Sequence, residues 1–281
     1  MITKRLTTTE QLRQIADMLM LNGTLTGCPG LVRGKMGISV FFFHYARYTN
    51  NKLFEEYAME LIGEIQNQIH VHSPADYERG IAGIGVGFDY LLRNHFLEAD
   101  NDIFDDFDQR MFRAVMYDPW QDFSLYDGLT GYGRYWMNRW SSVKQAKDCL
   151  SQIISHIEEK SSIIPDKEQN DVVCFLQEIS SMPDFDMCRE LLKKCRKLYV
   201  NVSQYFPRFG NNIVGNLARI FYCNFNNDDP LDEINSVIKQ LPYFNFEQPP
   251  CDMGLLSGYA GEGMLRLTAL EPTNVSWINL L

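Results

Sequence analysis

The chain is poor in the features by which many functions show themselves. No stretch approaches the roughly 18 consecutive apolar residues of a membrane-spanning helix, and the opening MITKRLTTTEQLRQIADML lacks the apolar core of a signal peptide. Basic residues are the minority, 26 Lys and Arg against 36 Asp and Glu, for a net charge of −10. That balance, with no local run of Lys or Arg, argues against a nucleic-acid or anionic-membrane partner. Neither a G-x-x-x-x-G-K-[ST] phosphate loop nor a G-x-S-x-G nucleophile elbow occurs. Alternating β patterns are also missing: YFNFEQPP alternates briefly and then runs into prolines, which favours a loop. The seven cysteines (Cys28, Cys149, Cys174, Cys188, Cys195, Cys223 and Cys251) are odd in number and none has C-x-x-C spacing. Reduced thiols in a cytoplasm are the expectation.

Glycine, by contrast, is placed with a pattern. Gly34-Lys-Met-Gly37, Gly80-Ile-Ala-Gly83-Ile-Gly85, Gly128-Leu-Thr-Gly131-Tyr-Gly133 and Gly258-Tyr-Ala-Gly261-Glu-Gly263 share G-x-x-G, and three of the four extend to G-x-x-G-x-G. Each runs into an apolar segment of helical character. None follows a strand pattern, so a dinucleotide fingerprint is not expected. Between first glycines the steps are 46, 48 and 130, the last close to three steps of 43. Two degenerate copies are therefore expected in the gap, at Asp171-Val-Val-Cys174 and Asn212-Ile-Val-Gly215.

Amphipathic segments alternate with these copies. Leu12, Ile15 and Leu19 recur at helical spacing. So do Leu53, Tyr57, Leu61, Ile65 and Ile69, and Phe104, Phe107, Met111 and Val115. Leu150, Ile153, Ile154 and Ile157 continue the series, as do Cys188, Leu191, Leu192, Cys195, Leu198 and Val202, and Leu231, Ile234, Val237, Ile238 and Leu241. Each has one apolar stripe and one wet face. The repeating unit is thus a wet helix, a loop and a glycine-rich apolar helix. A one-layer solenoid of such units would leave the apolar helices half exposed, whereas a closed ring buries them. The expectation is one all-α domain over residues 1–281, an α/α toroid of about six helical hairpins with the glycine helices inside. Missing Cβ atoms let backbones converge there, which offsets about 1 kcal/mol of helix propensity per glycine.

Repeated G-x-x-G helices in a ring of hairpins, with RGIAGIGVGFDYLL, SLYDGLTGYGRY and LLSGYAGEGMLRL as inner-helix motifs, resemble the lanthionine synthetase C-like family from about Leu31 to Leu267. Members usually have seven hairpins, and six are counted here. The resemblance implies peptide modification: a zinc ion held by two cysteines and a histidine activates a thiol that adds to a dehydrated serine or threonine. The family's ligands stand just before inner-helix glycines, as C-x-G and C-H-G. Here the residues two before the glycine positions are Val32, Glu78, Tyr126, Gln169, Gly210 and Leu256, and those one before are Arg33, Arg79, Asp127, Asn170, Asn211 and Ser257. None is Cys or His. Cys28 and Cys251 are out of register, and His70 and His72 have no evident partner. Neither metal nor cofactor is expected, and the implied role is an accessory or peptide-binding one, alongside a peptide-modifying enzyme, without cyclase activity. The family's aspartate four residues before one such glycine corresponds to Asp76.

Parallel inner helices would gather their N-termini at one pole. The residues expected to line that mouth are Arg33 and Lys35; Asp76, Tyr77, Glu78 and Arg79; Ser124, Tyr126 and Asp127; Asp166 and Glu168; Arg208 and Asn211; and Cys251 and Asp252. Asp76, Glu78 and Asp127 are the candidates for acid–base work. Arg33, Tyr77, Arg79, Ser124, Tyr126, Arg208, Asn211 and Asp252 are the candidates for binding a peptide or small molecule in the basin. Acidic residues also stabilise helix starts with no further role. Two other readings stand beside the peptide one: a metal-free toroid enzyme acting on glycans through paired carboxylates, and a scaffold with a packed centre.

Overall fold

In the computed structural model, residues 6–98, 103–199, 214, 252–256, 258–271 and 275–281 are described. They are helical with no strand among them, and no described helix is long and apolar enough to cross a membrane. The chain forms two compact units, one from Met1–Val71 with Phe209–Leu281 and the other from His72–Arg208.

The first unit holds α1 (Thr8–Asn22), α2 (Lys35–Thr49), α3 (Lys52–Gln68), the C-terminal glycine helix Tyr259–Leu270 and a 3-10 turn, Ser276–Leu280. A capping box starts α1: the Thr7 side chain accepts from the Glu10 N–H, and Glu10 returns a bond to the Thr7 N–H. Asn50, at φ 52°, closes α2 in the left-handed region. The C-terminal glycine helix packs on both α1 and α2. Its buried Arg266 reaches Gln11 of α1 at 3.1 Å, and Trp277 Nε1 donates to Thr268 at 2.9 Å.

The second unit holds α4 (Ile81–Arg93), α5 (Asp105–Met116), α6 (Leu129–Arg139), α7 (Gln145–Lys160), α8 (Asp166–Ile179) and α9 (Cys188–Leu198). The C-terminal glycine helix of the first unit is numbered α10. In the second unit α6 packs on α4, α7 and α8. Asp108 of α5 accepts from Tyr135 Oη at 2.6 Å and from both Nε and Nη2 of Arg139, at 3.1 and 2.9 Å.

The two helix types separate as their patterns require. Residues 35–46 of α2, 81–91 of α4 and 129–136 of α6 are buried without interruption, while α1, α3, α5, α7 and α9 bury one stripe each. The expected stripe on α3 fails at its first residue, because Leu53 lies in the first turn and is exposed. YFNFEQPP, the Asn212 copy's motif apart from Val214, and the Leu231–Leu241 segment lie outside the described residues.

The glycines serve a more specific end than close approach of helices. Gly34, Gly80, Gly128 and Gly258 are all N-caps in extended backbone, which any residue adopts, so dihedral freedom is not their purpose. A Cβ on each would fall on the carbonyl oxygen six residues earlier: Cys28, Pro74, Asp122 or Asp252. The same carbonyls accept from the N–H just after each glycine, Lys35 at 2.9, Ile81 at 2.9, Leu129 at 2.9 and Tyr259 at 3.2 Å. The second glycine repeats the logic, since a Cβ at Gly37, Gly131 or Gly261 would strike the carbonyl of Leu31, Leu125 or Leu255. The third glycine faces the aromatic side chain of a neighbouring helix. Gly85 receives the Tyr135 ring, Gly133 the Phe175 ring and Gly263 the Phe41 ring.

Tyr135 and Phe41 stand seven residues after Gly128 and Gly34. Counting back seven from Phe175 puts Glu168 in the place of the N-cap glycine and Asp171 in the place of the second glycine. The register expected for the degenerate copy is therefore shifted by three residues. The reason is that α8 starts early, at Asp166, and winds through what is a loop in the other copies.

Two alanine substitutions separate these roles. Gly131→Ala is expected to cost about 1–3 kcal/mol, because the new methyl meets the Leu125 carbonyl and Tyr77 Cβ together. Gly63→Ala in α3, where nothing lies within 4 Å, is expected to gain about 0.5–1 kcal/mol. Urea denaturation of both variants checks the pair.

Candidate functional site

In each unit, loops that precede two glycine helices are tied to each other. In the second unit the N–H groups of Tyr77 and Glu78 both donate to the Tyr126 carbonyl, at 2.9 and 3.0 Å. In the first unit Leu255 and Leu256 donate in the same way to the Val32 carbonyl, at 2.8 and 3.1 Å. The predicted residues are thereby brought together in two groups. Asp76, Tyr77, Glu78 and Arg79 adjoin Ser124, Tyr126 and Asp127. Arg33 adjoins the Asp252 turn, its backbone against Gly254. Arg208 and Asn211 lie outside the described residues. The residues immediately before the glycines, Arg33, Arg79 and Asp127, are exposed.

Most of the carboxylates hold backbone. Asp122 Oδ1 accepts from the N–H of Ser124 at 2.7 Å and from its hydroxyl, and Asp252 Oδ1 accepts from Gly254 N–H at 2.8 Å. At the equivalent position the sulfur of Cys28 accepts from Gly30 N–H at 3.4 Å. Asp76 Oδ1 accepts from Arg79 N–H at 2.7 Å. Burial raises the Asp76 carboxyl above its ordinary value, the Arg79 amide opposes that, and the charge of Asp127 adds to it. Glu78 is buried, with Arg79 Nε 3.4 Å from its Oε2.

Two further carboxylates come from α8. Glu168 Oε2 accepts from Phe123 N–H and Asp171 Oδ2 from Leu125 N–H, each at 2.9 Å. Where the other copies offer a backbone carbonyl to the preceding loop, this degenerate copy offers side chains. Burial, with Asp122 and Glu168 nearby, pushes the Asp171 carboxyl up to about 6, against the Leu125 amide and Arg134, which lower it. Burial and then the Asp171 charge raise the Tyr126 phenol. Tyr77 is fully buried, its ring 5.7 Å from the Arg134 guanidinium carbon.

Asp122, Asp171, Tyr132 and Arg134 were not among the expected site residues. An acid in a glycine position was the one signal that pointed to Asp171. Among the described residues no three of His, Cys, Asp and Glu are grouped so as to hold a metal ion. His70 and His72 are exposed in a loop, and Cys251 lies outside the described residues. Cys149 and Cys188 are buried, with thiols raised by burial to about 12 and about 11.

Asp171 gives a pH prediction. A carboxyl at about 6 when folded, against the usual aspartate value of 3.8, binds more protons in the folded state between those limits. Its contribution to stability therefore falls as pH rises through that window, by an amount on the order of 3 kcal/mol. Asp171→Asn keeps an acceptor for Leu125 and removes the charge. Its stability relative to the parent is expected to grow from pH 4 to pH 7 in urea titrations, and a gap independent of pH would contradict the assignment. Compared with known proteins, the chain matches no family model and no curated protein.

Proposed function

We propose that the chain closes into a single α/α toroid of lanthionine synthetase C-like type, with the glycine helices innermost. In this proposal it binds a peptide at the pole where those helices begin, without zinc-dependent cyclisation. The observation that carries it is the contact between the last glycine helix and the first. α10 and α2 meet through the same paired loop hydrogen bonds as α4 and α6, and through the same seating of a ring on a third glycine. In a row of hairpins each glycine helix has its sequence neighbours beside it. A last helix that holds the first one in this way favours a row that returns on itself.

The absence of cyclase chemistry follows from residue types. Thiol activation needs thiolate and imidazole ligands on the metal. The positions that carry them in the family hold Val32, Arg33, Glu78, Arg79, Tyr126, Asp127, Leu256 and Ser257 here, with no donor set among them. Two of those residues, Val32 and Tyr126, lend their carbonyls to the loop contact. What remains is a set of exposed charges, Arg33, Arg79 and Asp127, suited to holding a peptide, in a cytoplasmic protein. The glycan reading needs an acid and a base about 5–10 Å apart and free to exchange protons. Of its candidates, Asp76 is already engaged with a backbone N–H and Glu78 with Arg79.

The test is incubation of the purified protein with zinc and a fluorescein-labelled model peptide bearing a dehydroalanine and a cysteine. Saturable binding by anisotropy with no thioether by mass spectrometry is expected. Thioether formation above the spontaneous rate would overturn the accessory role, and failure to bind at millimolar concentration would overturn the peptide site.

A further inference from the structure

At the end of α6 away from Gly128, about 15 Å along the helix, a cavity of about 660 Å³ lies between the start of α5, Arg139 and the turn into α7. It belongs wholly to the second unit and is separate from the helix starts described above. Its walls are held in place. Arg139 donates through Nε and Nη2 to Asp108 at 3.1 and 2.9 Å, and its guanidinium carbon stands 4.2 Å from the centre of the Phe104 ring. Asp108 accepts in addition from Tyr135 Oη at 2.6 Å. The turn that follows is fixed by the Arg139 carbonyl, which accepts from the N–H groups of Ser142 and Val143 at 3.0 and 3.1 Å.

These walls carry hydrogen-bonding capacity that the fold leaves unused. Arg139 Nη1 has no acceptor among the described residues and is open to solvent. The side-chain amides of Gln109 and Gln145 and the Ser142 hydroxyl also line the cavity, and none has a hydrogen-bond partner among the described residues. Phe112 and Val143, both half-buried, supply apolar surface beside them. Charge, by contrast, is largely settled within the wall. Asp108 is paired with Arg139, and Asp106 Oδ2 lies 3.5 Å from Arg110 Nε. Of the three carboxylates that line the cavity, Asp105 alone has no ion pair among the described residues.

We infer that this cavity binds a neutral saccharide. An anion would meet three carboxylates. An organic cation would find two guanidinium groups, Arg110 and Arg139, against one unpaired carboxylate. A neutral ligand meets neither repulsion, and what the wall offers it is mixed. Asp105 only accepts, Arg139 Nη1 only donates, and the two glutamines and the serine do both. Every sugar hydroxyl is at once a donor and an acceptor, so hydroxyls around a ring can satisfy all of these groups while its C–H face lies on Phe112 and Val143. The size agrees, since the cavity falls within the roughly 300–1,000 Å³ of small-molecule sites and has room for more than one sugar ring. The carboxylates serve here as acceptors alone, so the site binds without hydrolysing, and it stands independently of the peptide site proposed above.

Saturation-transfer NMR on the full chain tests this with four neutral disaccharides, cellobiose, maltose, lactose and diacetylchitobiose. Spermidine and a doubly capped trialanine are the cationic and peptide comparisons. Transfer to the ring C–H protons of at least one disaccharide is expected at millimolar concentration. Gln109→Ala and Gln145→Ala are each expected to weaken that sugar about threefold or more. Both side chains are exposed, so an unchanged thermal melt accompanies the loss. No transfer to any of the four disaccharides would overturn the saccharide assignment. Displacement of the sugar by spermidine or by the capped peptide would overturn the choice of a neutral sugar over those two classes. Sugar binding left unchanged in both glutamine variants would overturn its placement in this cavity.

Discussion

The hydrogen bond from the first N–H of each glycine helix to a carbonyl six residues before its N-cap is the constraint on which the rest depends. A helix start leaves four N–H groups without intrahelical partners, and side-chain caps usually satisfy part of that need. No side-chain cap is present on α2, α4, α6 or α10. The preceding loop folds back instead and supplies its own carbonyls. Such a loop has to lie where a Cβ would be, so glycine is required at the cap and again one turn later. The propensity loss of about 1 kcal/mol per interior glycine is offset by buried N–H groups that would each cost a comparable amount or more if left unpaired. The cap glycines are indispensable for space, in a conformation that any residue could adopt.

Once the loops before α4 and α10 are folded onto their own helices, amides that remain point outward to a neighbouring copy. The N–H groups three and two residues before the glycine find a single carbonyl of the neighbouring loop, in both units. The third glycine and the aromatic residue in the seventh position then set the helices against each other. Burial of rings such as Phe41, Tyr135 and Phe175 contributes about 1.5–3 kcal/mol apiece. The residue just before the glycine is left to solvent. Side-chain chemistry at these helix starts is therefore confined to a few positions, and it varies among the four glycine copies while the loop-to-helix hydrogen bond does not.

Helix type and burial were legible in the sequence because both are periodic, and the glycine spacing carried the repeat. The structure of the loops was not legible, because one backbone task is performed by unlike side chains. Asp122, Asp252 and Cys28 each accept the N–H two residues on, although the sequence shows two acids and a thiol. Asp76, expected as a catalytic acid, stands in a loop that begins with Pro74 and takes the Arg79 amide. The degenerate copy was misread by three residues for a related reason. Its carboxylates do the work of a carbonyl, and a carboxylate reaches from a different point on the chain than a carbonyl does.

That exchange also explains why acid gathers at the start of α6. Glu168 and Asp171 are needed to hold the loop from Phe123 to Leu125, and Asp122 is needed to turn it. In the first unit Val32 supplies a neutral carbonyl to Leu255 and Leu256, and Asp252 shapes the turn before α10. Negative charge thus accumulates around α6 for structural reasons, before any ligand is considered. Acids with backbone partners cannot turn to a ligand without releasing an amide. Among the described residues Asp118 and Asp127 hold no backbone amide in this way.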